Sequence, residues 1–386
     1  MSQSDFSHRR FFPGTDRSSL WFFLLLSDWI ETLPGLIFAA ILFTLALLPT
    51  HNQWLLTIGL WFFFLADWVL LSALPRVGKS YGPAKSPTLL LALLRLPTAF
   101  LPLPWNLATQ VIGTLLVLYS FWIEPHAVQL TRQTLRSKKL KFGPPLRILH
   151  LGDLHLERMT AREKKILNLI PSLSPDLILF SGDFLNLSYI FDPAAWADVQ
   201  EFLQQLSAPL GVFAVTGSPP IDHEGIIADI LDETSVHWLR DEKVTLEHDS
   251  NRFDLIGISC THKPFIDGPR LSSVLDEGNE RFTVLLYHTP DLAPEASTAG
   301  IDLQLSGHTH GGQVRLPFWG AIVTSSLYGK RFESGRYDLG DLTLYVTRGI
   351  GMEGKGAPRV RFLCPPEITL WEISADSHLK DSSGIQ

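Results

Sequence analysis

The chain has 386 residues, of which 46% are hydrophobic, and its formal net charge is -7. This length can build one large domain or two smaller ones. The negative charge argues against a nucleic-acid-binding protein, which would need a broad basic surface. Two cysteines, Cys260 and Cys364, lie far apart and form no CxxC pattern. They indicate neither a disulfide scaffold nor a thiolate zinc site, and we expect both in the core.

The hydrophobic residues are concentrated in the first third of the chain. Three apolar stretches, 33–49, 53–74 and 105–123, approach the ~20 residues that cross a bilayer. A shorter stretch, 87–101, contains an arginine and could span as part of a hairpin or lie at the interface. Buried helices of a soluble protein would be amphipathic, whereas these are apolar on all sides. We therefore predict that residues 1–124 form a membrane region of three or four helices, in an integral protein of the cell membrane.

The distribution of Lys and Arg predicts the orientation of this region. Basic residues occur at 9–17 before the first stretch, at 76–85 after the second and at 132–141 after the last, while the 50–53 loop has none. Because cytoplasmic loops are enriched in Lys and Arg, four spans would place the following domain on the cytoplasmic side. The last basic run could instead belong to the folded domain or contact anionic lipid headgroups.

Residues 125–374 alternate between strand-like and helix-like segments. The predicted strands are 146–151, 176–180, 211–215, 253–258, 283–287, 302–305, 342–346 and 368–373. The predicted helices are 162–170, 194–206 and 225–231. This alternation is typical of an α/β domain, although the strands from 253 onward look more antiparallel. We expect residues 375–386 to be a disordered polar tail.

Histidine and aspartate residues follow four of the predicted strands. They are Asp153 and His155, Asp183, His288, and the pair His308 and His310. Ligands in α/β proteins gather at the carboxyl ends of strands, and an imidazole and carboxylate set suits Zn, Fe or Mn. A lone Asp after a strand is usually a turn residue or a helix cap, and a lone pair of histidines usually lies on the surface. Six such groups at four strand ends indicate a metal site instead.

The order of these motifs resembles the calcineurin-like metallophosphoesterases. The chain has Asp-x-His at 153–155, Gly-Asp at 182–183, a lone His at 288 and Gly-His-x-His at 307–310. The full form Gly-His-Thr-His-Gly-Gly-Gln and the segment 344–368 are similar to the branch that contains membrane-associated phosphodiesterases and UDP-diacylglucosamine hydrolases.

This resemblance covers roughly residues 146–373 and implies a fold, an activity and a cofactor. The fold would be a four-layer α/β/β/α sandwich, here preceded by an α-helical transmembrane segment. The activity would be hydrolysis of a phosphodiester or pyrophosphate, in a lipid-linked or a soluble substrate, by a hydroxide activated by two divalent metal ions such as Mn, Fe or Zn. The implied partners are a phosphorylated substrate and the membrane; no nucleic acid and no protein partner is indicated.

The resemblance also assigns the six side chains to the two ions. Asp153, His155 and His310 would hold the first ion, His288 and His308 the second, and Asp183 would bridge them.

One motif departs from the family pattern. Where the family has Gly-Asn-His-Asp, with the Asn on the second metal, residues 217–223 read Gly-Ser-Pro-Pro-Ile-Asp-His. Ser218 is a weak neutral ligand, so we expect the second metal to be held less tightly. Asp222 and His223 could supply the missing function, or Asp222 could cap the next helix while His223 faces solvent.

This departure leaves an alternative function open. A catalytically weakened relative could bind metal or a phosphorylated lipid without efficient turnover. Two further polar residues, Glu157 and His262, match no motif, and we expect both at the surface.

Overall fold

The computed structural model describes residues 6–13, 21–50, 53–275 and 280–376. Most of the predicted polar tail lies outside these ranges. The described part consists of an N-terminal helical region and an α/β domain. The helices of the N-terminal region are α1 (Trp21–Glu31), α2 (Gly35–Thr50), α3 (Trp54–Ala73), α4 (Lys85–Arg95) and α5 (Leu103–Val117).

Two helical segments in the described part of this region are long and apolar enough to cross a membrane, and a bent pair of helices could make a third span. Among the described residues, Trp54–Val77 and Leu103–His126 meet this test as single helices. Leu25–Glu31 and Gly35–Thr50 meet it only as a pair, bent by 112°. The shorter predicted stretch is divided, because α4 ends before Pro97 and the 3-10 segment Leu96–Phe100 follows.

A buried ion pair joins three of the N-terminal helices. The guanidinium of Arg95 in α4 donates to both carboxylate oxygens of Asp67 in α3, each at 2.9 Å. It also donates to Gln110 Oε1 at 3.1 Å and Thr114 Oγ1 at 3.0 Å in α5. Each nitrogen of this guanidinium therefore has an oxygen partner, which allows a charge to lie between apolar helices.

The α/β domain contains two six-stranded sheets and a short two-stranded one. Its helices are α6 (Ala161–Leu173), α7 (Pro193–Gln204), α8 (Glu224–Asp232), α9 (Pro264–Val274) and α10 (Ala293–Thr298). Its strands are β1 (Gln129–Ser137), β2 (Leu146–Leu151), β3 (Leu177–Phe180), β4 (Val212–Ala214), β5 (Val236–Trp238), β6 (Glu242–His248), β7 (Asn251–Gly257), β8 (Phe282–Leu286), β9 (Leu303–Ser306), β10 (Arg315–Leu316), β11 (Gly320–Ala321), β12 (Gly335–Leu339), β13 (Leu342–Val346) and β14 (Glu367–Ala375). The strand orders are β1-β14-β2-β3-β4-β5, β12-β13-β9-β8-β7-β6 and β10-β11.

The two large sheets pack face to face, with helices on their outer faces. Successive side chains of a strand point to opposite faces, so one strand serves two cores. In β2, Ile148 packs between the sheets with Phe253 of β7, whereas Leu149 packs with Ile166 of α6. On the other side, Leu285 of β8 packs with the helices α9 and α10. The predicted mixed α/β architecture with two sheets is confirmed.

The helices of the outer layers begin at recognisable sequence signals. Thr160 and Glu163 form a capping box at the start of α6, in which each side chain accepts a hydrogen bond from a backbone N–H of the first turn. Asp192 caps α7 by accepting from the backbone N–H of Ala194, and Pro193 occupies the first helical position. These caps place the helices directly after the turns that follow β2 and β3.

The expectation that the later strands are antiparallel is wrong for the centre of the second sheet. β7 pairs parallel with β8, β8 with β9, and β9 with β13. Parallel neighbours need a crossover connection, which α9 and α10 provide between β7 and β9. Antiparallel pairing occurs at the two edges, between β6 and β7 and between β12 and β13.

Candidate metal centre

The fold brings the six predicted ligands to one end of both sheets. Asp153 and His155 follow β2, Asp183 follows β3, His288 follows β8, and His308 and His310 follow β9. These strands run parallel within their sheets, so their carboxyl ends lie at the same edge. All six side chains are buried, and none is more than 5% exposed.

The ligand atoms of these residues converge. In the described part of the chain, three groups have ligand atoms within 4.8 Å of one another: Asp153, His155 and His310; Asp153, Asp183 and His288; and His262, His288 and His308.

Contacts within the cluster place nitrogen against nitrogen and nitrogen against carboxylate. His155 Nε2 lies 2.9 Å from His310 Nε2 and 3.4 Å from Asp183 Oδ2. His288 Nε2 lies 3.2 Å from the same Asp183 oxygen. Asp183 therefore lies between the two groups of histidines, as a bridging carboxylate would.

The donor set fits divalent metal ions. Two neutral imidazoles that face each other through Nε2 can share only one proton, whereas a cation satisfies lone pairs on both. The Nδ1 atoms of His155 and His310 are also buried without a hydrogen-bond partner in the described residues. His288 is fixed in the opposite way: its Nδ1 lies 2.8 Å from Ser181 O, so an Nδ1–H can donate there and leave the Nε2 lone pair free.

The backbone at these positions is held in the left-handed region. The φ angles of five of the six predicted ligands are positive, and they are Asp153 (48°), His155 (41°), Asp183 (58°), His308 (72°) and His310 (51°). Such residues cost about 1–3 kcal/mol each and cluster at functional sites. A close approach also requires glycine at 307, where a Cβ would lie 2.6 Å from a carboxylate oxygen of Asp153.

Burial and mutual charge shift the pKa values of the acidic groups and of His288. Burial raises the pKa of Asp153 to about 6, although the charge of His288 opposes this shift. Burial would raise the pKa of Asp183 as well, but the charge of His288 and the hydrogen bond from His155 hold it well below its usual range. Burial would lower the pKa of His288, but the charge and hydrogen bond of Asp183 raise it to about 9. Metal binding must displace such a proton, so metal affinity depends on pH.

Asp222 supports the cluster through the backbone. Its carboxylate accepts hydrogen bonds from the backbone N–H groups of Asp183 (2.7 Å), Phe184 (3.0 Å) and Gly217 (2.7 Å). Burial and the charge of Asp183 raise its pKa to about 7. Asp222 is not a helix N-cap, because α8 begins at Glu224 and its N-cap is His223. Both carboxylate oxygens hold turns that carry the cluster, which makes Asp222 a positioning residue.

The structure does not bring His223 into the groups of ligand atoms described above. Its side chain is exposed, and its ring stacks on Phe191 with ring centroids 5.7 Å apart. Ser218, in contrast, lies inside the cluster: its Oγ is 3.3 Å from Asp183 Oδ2 and 3.2 Å from His288 Nε2. The turn after β4 therefore places a serine hydroxyl where the resemblance expects an amide ligand.

Two residues that we expected at the surface are buried, and that expectation is wrong. His262 is 2% exposed, and its ring centroid lies 4.6 Å from that of His308 and 6.0 Å from that of His288. The Glu157 carboxylate accepts from Tyr81 N at 2.8 Å and from Arg359 Nε at 2.7 Å. The signal for His262 was its place shortly after the strand β7, the same signal that identified the other ligands.

A groove of about 1350 Å³ lies beside the cluster. Pro219 and Pro220, which follow Ser218, form part of its lining, as do Thr261 and Lys263 on either side of His262. The remaining lining is both apolar and basic, with residues from the N-terminal segment and the α/β domain: Arg9, Arg10, Phe11, Phe12, Leu187, Ile190, Phe191, His223, Phe265 and Lys355.

Comparison with known proteins identifies relatives of the α/β domain. The family model described as calcineurin-like phosphoesterase matches residues 146–312. Uncharacterized metallophosphoesterase YkuE of Bacillus subtilis is 31% identical over 269 residues, which cover 67% of this chain and 89% of that protein. Phosphodiesterase YaeI of Escherichia coli is 27% identical, over 66% of this chain and 92% of its own length. UDP-2,3-diacylglucosamine pyrophosphatase LpxG of Chlamydia trachomatis is also 27% identical, over 64% and 90% respectively.

Proposed function

Because this chain belongs to the calcineurin-like phosphoesterase family, we propose that it is a membrane-anchored enzyme that hydrolyses a phosphodiester or pyrophosphate of a lipid-linked substrate. The family and its phosphodiesterase and pyrophosphatase relatives make the chain a metal-dependent phosphoric ester hydrolase. The observation that carries the proposal is the buried cluster in which His155 and His310 face each other and Asp183 lies beside His288.

We assign this cluster to two divalent ions. Asp153, His155 and His310 would hold one ion, His288 and His308 the other, and Asp183 would contribute to both. When bound, such ions polarise phosphoryl oxygens and make water a nucleophile near neutral pH. The chain itself orients the ligands: Ser181 O fixes the ring of His288, and Asp222 holds the backbone of Asp183.

The groove supports an amphipathic substrate. Its cations, including Arg9, Arg10 and Lys263, would attract phosphate oxygens, while Phe191 and Phe265 offer apolar surface to acyl chains. LpxG is named a pyrophosphatase of a diacylated nucleotide sugar, which makes a lipid-linked pyrophosphate the substrate class that we would test first.

The position of the basic residues supports a cytoplasmic active site. Glu157 of the phosphoesterase domain accepts from Tyr81 N, and Lys79 Nζ donates to Trp122 O at 2.9 Å, at the end of the helical segment that leads into the domain. Arg9 and Arg10 line the groove. The basic ends of the helical region thus meet the phosphoesterase domain, and the excess of Lys and Arg in cytoplasmic loops would place both inside the cell.

The test is hydrolysis by the full chain in detergent, with bis-p-nitrophenyl phosphate and a diacylated sugar pyrophosphate as substrates. We expect turnover that needs an added divalent ion, with Zn²⁺, Fe²⁺ and Mn²⁺ tested separately, is abolished by a chelator and falls at least ~100-fold in Asp183→Ala, since metal and electrostatic contributions of this size are typical. Asp229→Ala, an exposed carboxylate of α8, is the matched control and should behave as wild type. Equal, metal-independent rates in wild type and Asp183→Ala would refute the enzymatic proposal.

A second variant tests the lipid part. Phe265 is 41% exposed and lines the groove. Phe265→Ala should raise KM for the acylated substrate and leave bis-p-nitrophenyl phosphate unaffected. The same change for both substrates would argue against acyl-chain binding in this groove.

One observation favours a second candidate, a weakened relative that binds metal without efficient turnover. Ser218 and Pro219 stand where the family motif has Asn and His. If the wild-type chain binds divalent metal but turns over neither substrate, this second function would be favoured.

A further inference from the structure

Among the motif residues, the second ion of the proposed pair has three strong ligands and one weak one. Asp183, His288 and His308 are available to it, and the fourth position is Ser218, whose hydroxyl is a weak neutral donor. Divalent Zn and Fe sites in proteins use at least three strong side-chain ligands and often a fourth. A further strong donor near His288 and His308 would complete the site.

His262 lies where such a donor is needed. One ring nitrogen each of His262, His288 and His308 falls within a common distance of 4.8 Å, and all three side chains are buried. The ring centroid of His262 is 4.6 Å from that of His308, at an interplanar angle of 62°. The rings therefore meet edge to face around one point instead of stacking.

The environment of His262 does not explain its burial as ordinary packing. Its Nε2 is buried and has no hydrogen-bond partner among the described residues. An unsatisfied buried polar atom costs about 1–3 kcal/mol. Its φ angle is +61°, in the same region as five of the six motif ligands. The unsatisfied nitrogen and the left-handed backbone both cost free energy, and both are expected if the nitrogen lone pair of His262 binds a metal ion.

The turn that carries His262 is fixed by its neighbours. Thr261 donates to the Asp267 carboxylate through both its backbone N–H and its Oγ1, each at 2.9 Å. Tyr287, which precedes His288, donates from its hydroxyl to the same carboxylate at 2.7 Å. Asp267 thus links the residue before His262 to the residue before His288, as expected for supporting contacts behind two ligands of one ion.

We propose that His262 is a ligand of the second divalent ion and replaces the amide that is missing at position 218. The inference rests on the proposed function. The second site would then hold three imidazoles and the Asp183 carboxylate, a donor set that selects Zn or Fe over Mn or Mg. His262 lies outside the motifs that define the family, so this site would distinguish the chain from relatives that have Asn at the position of Ser218.

The experiment measures metal content and affinity in the full chain, purified in detergent, stripped with a chelator and titrated with Zn²⁺. We would compare wild type with His262→Phe, which preserves a ring of similar size, and with His262→Ala, and we would check each by thermal unfolding. His237→Phe is the matched control, because its side chain is 52% exposed in β5. A last variant combines His262→Phe with Ser218→Asn to restore an amide ligand.

We expect two equivalents of Zn²⁺ in wild type and in the control, and about one in the folded His262 variants. The affinity lost at the second site should be at least as large as the 10–100-fold that removal of a supporting residue typically causes. The combined variant should recover the second equivalent.

Three results would overturn the inference. Two equivalents with unchanged affinity in both His262 variants would exclude the ligand role and leave the proposed function intact. One equivalent in wild type would mean that no second ion exists for His262 to hold. No metal in wild type would overturn both the inference and the proposed function.

Discussion

A single carboxylate, Asp222, positions the backbone of the candidate metal centre without being one of its predicted metal ligands. Its two oxygens accept hydrogen bonds from three backbone N–H groups, in the turns that carry Asp183 and Ser218. The turn after β3 and the turn after β4 are therefore locked together by one side chain. Movement of this side chain would displace the carboxylate that lies between the two groups of histidines.

Asp222→Ala should weaken both the fold and the metal site. It leaves three buried N–H groups without an acceptor, so we expect a loss of at least about 1–3 kcal/mol in the free energy of unfolding. Metal affinity should fall roughly 10–100-fold, because the positions of the ligands would no longer be fixed. Thermal unfolding and calorimetric Zn²⁺ titration measure the two effects, with Asp229→Ala as the exposed control. Wild-type metal affinity in a destabilised Asp222→Ala would show that Asp222 does not position the site.

Asp291 predicts a pH dependence of stability that is separate from the metal ligands. Burial raises its pKa to about 6, although hydrogen bonds from Ser326 and Leu327 N oppose the shift. An Asp in the unfolded chain titrates near 3.9, so between about pH 4 and 6 the folded state binds more protons. The contribution of Asp291 to stability should therefore fall as the pH rises through this range, by up to about 3 kcal/mol.

Asp291→Asn removes this titration. We expect the stability of the variant relative to wild type to increase by up to about 3 kcal/mol between about pH 4 and pH 7.5, as measured by denaturant unfolding of the metal-free protein. Asp338→Asn, at a carboxylate that is 61% exposed, should show no such trend. A difference between Asp291→Asn and wild type that does not vary with pH would contradict the prediction.

At the scale of secondary-structure elements, the strands of the interior could be predicted and their pairing could not. The predicted strand 146–151 coincides with Leu146–Leu151, because a short apolar run followed by Gly-Asp is typical of a buried strand and its turn. The parallel pairing around β8 depends on α9 and α10, and Gly268 and Pro269 interrupt the helical pattern of α9. Whether two neighbouring strands are parallel depends on the segment that connects them. Because the helix α9 could not be recognised from its sequence, the parallel pairing could not be predicted.

Edge strands and isolated ligands were the other limits. β1 alternates between exposed and half-buried side chains and contains no apolar run, so only its pairing with β14 identifies it as a strand. The six histidines and aspartates of the motifs could be predicted to converge because each followed a predicted strand. His262 follows β7 in the same way, but a single histidine outside any motif is more often a surface or core residue than a metal ligand.

The ion pair between α3 and α4 allows a test of how the N-terminal helices hold together. Asp67→Leu should destabilise the helical region by about 3–5 kcal/mol, because it leaves the buried guanidinium of Arg95 without its carboxylate partner. The double variant Asp67→Leu with Arg95→Met should recover most of that loss, since neither charge remains. Thermal unfolding in detergent measures both. A double variant as unstable as Asp67→Leu alone would show that the pair stabilises the region in another way.

At the scale of the whole molecule, hydrogen bonds to the Tyr81 loop fix the helical region to the phosphoesterase domain. The Glu157 carboxylate accepts hydrogen bonds from Tyr81 N and Arg359 Nε, and the Tyr189 hydroxyl donates to Tyr81 O at 2.8 Å. The loop between α3 and α4 is thereby held against the domain at its backbone. The groove is then lined from both parts of the chain, with Arg9 and Phe265 on the same cavity.

The proposed cytoplasmic orientation predicts the accessibility of introduced cysteines. Cys260 and Cys364 are buried, so the background reaction should be low. Gln53→Cys lies at the exposed start of α3, at the opposite end of that helix from the Tyr81 loop, and a membrane-impermeant maleimide should label it in intact cells. His237→Cys in the phosphoesterase domain should be labelled only after permeabilisation. The reverse pattern would place the active site outside the cytoplasm.

The left-handed backbone of five predicted ligands constrains how this protein can diverge over evolutionary time. At positive φ, Asn, Asp and Gly are tolerated far better than β-branched or bulky residues. A mutation at one of these positions therefore affects the backbone conformation as well as metal binding. The positions are Asp153, His155, Asp183, His308 and His310. Homologues that have lost hydrolytic activity should preferentially carry Asn or Gly at these positions, because these residues preserve the turns without the metal ligands.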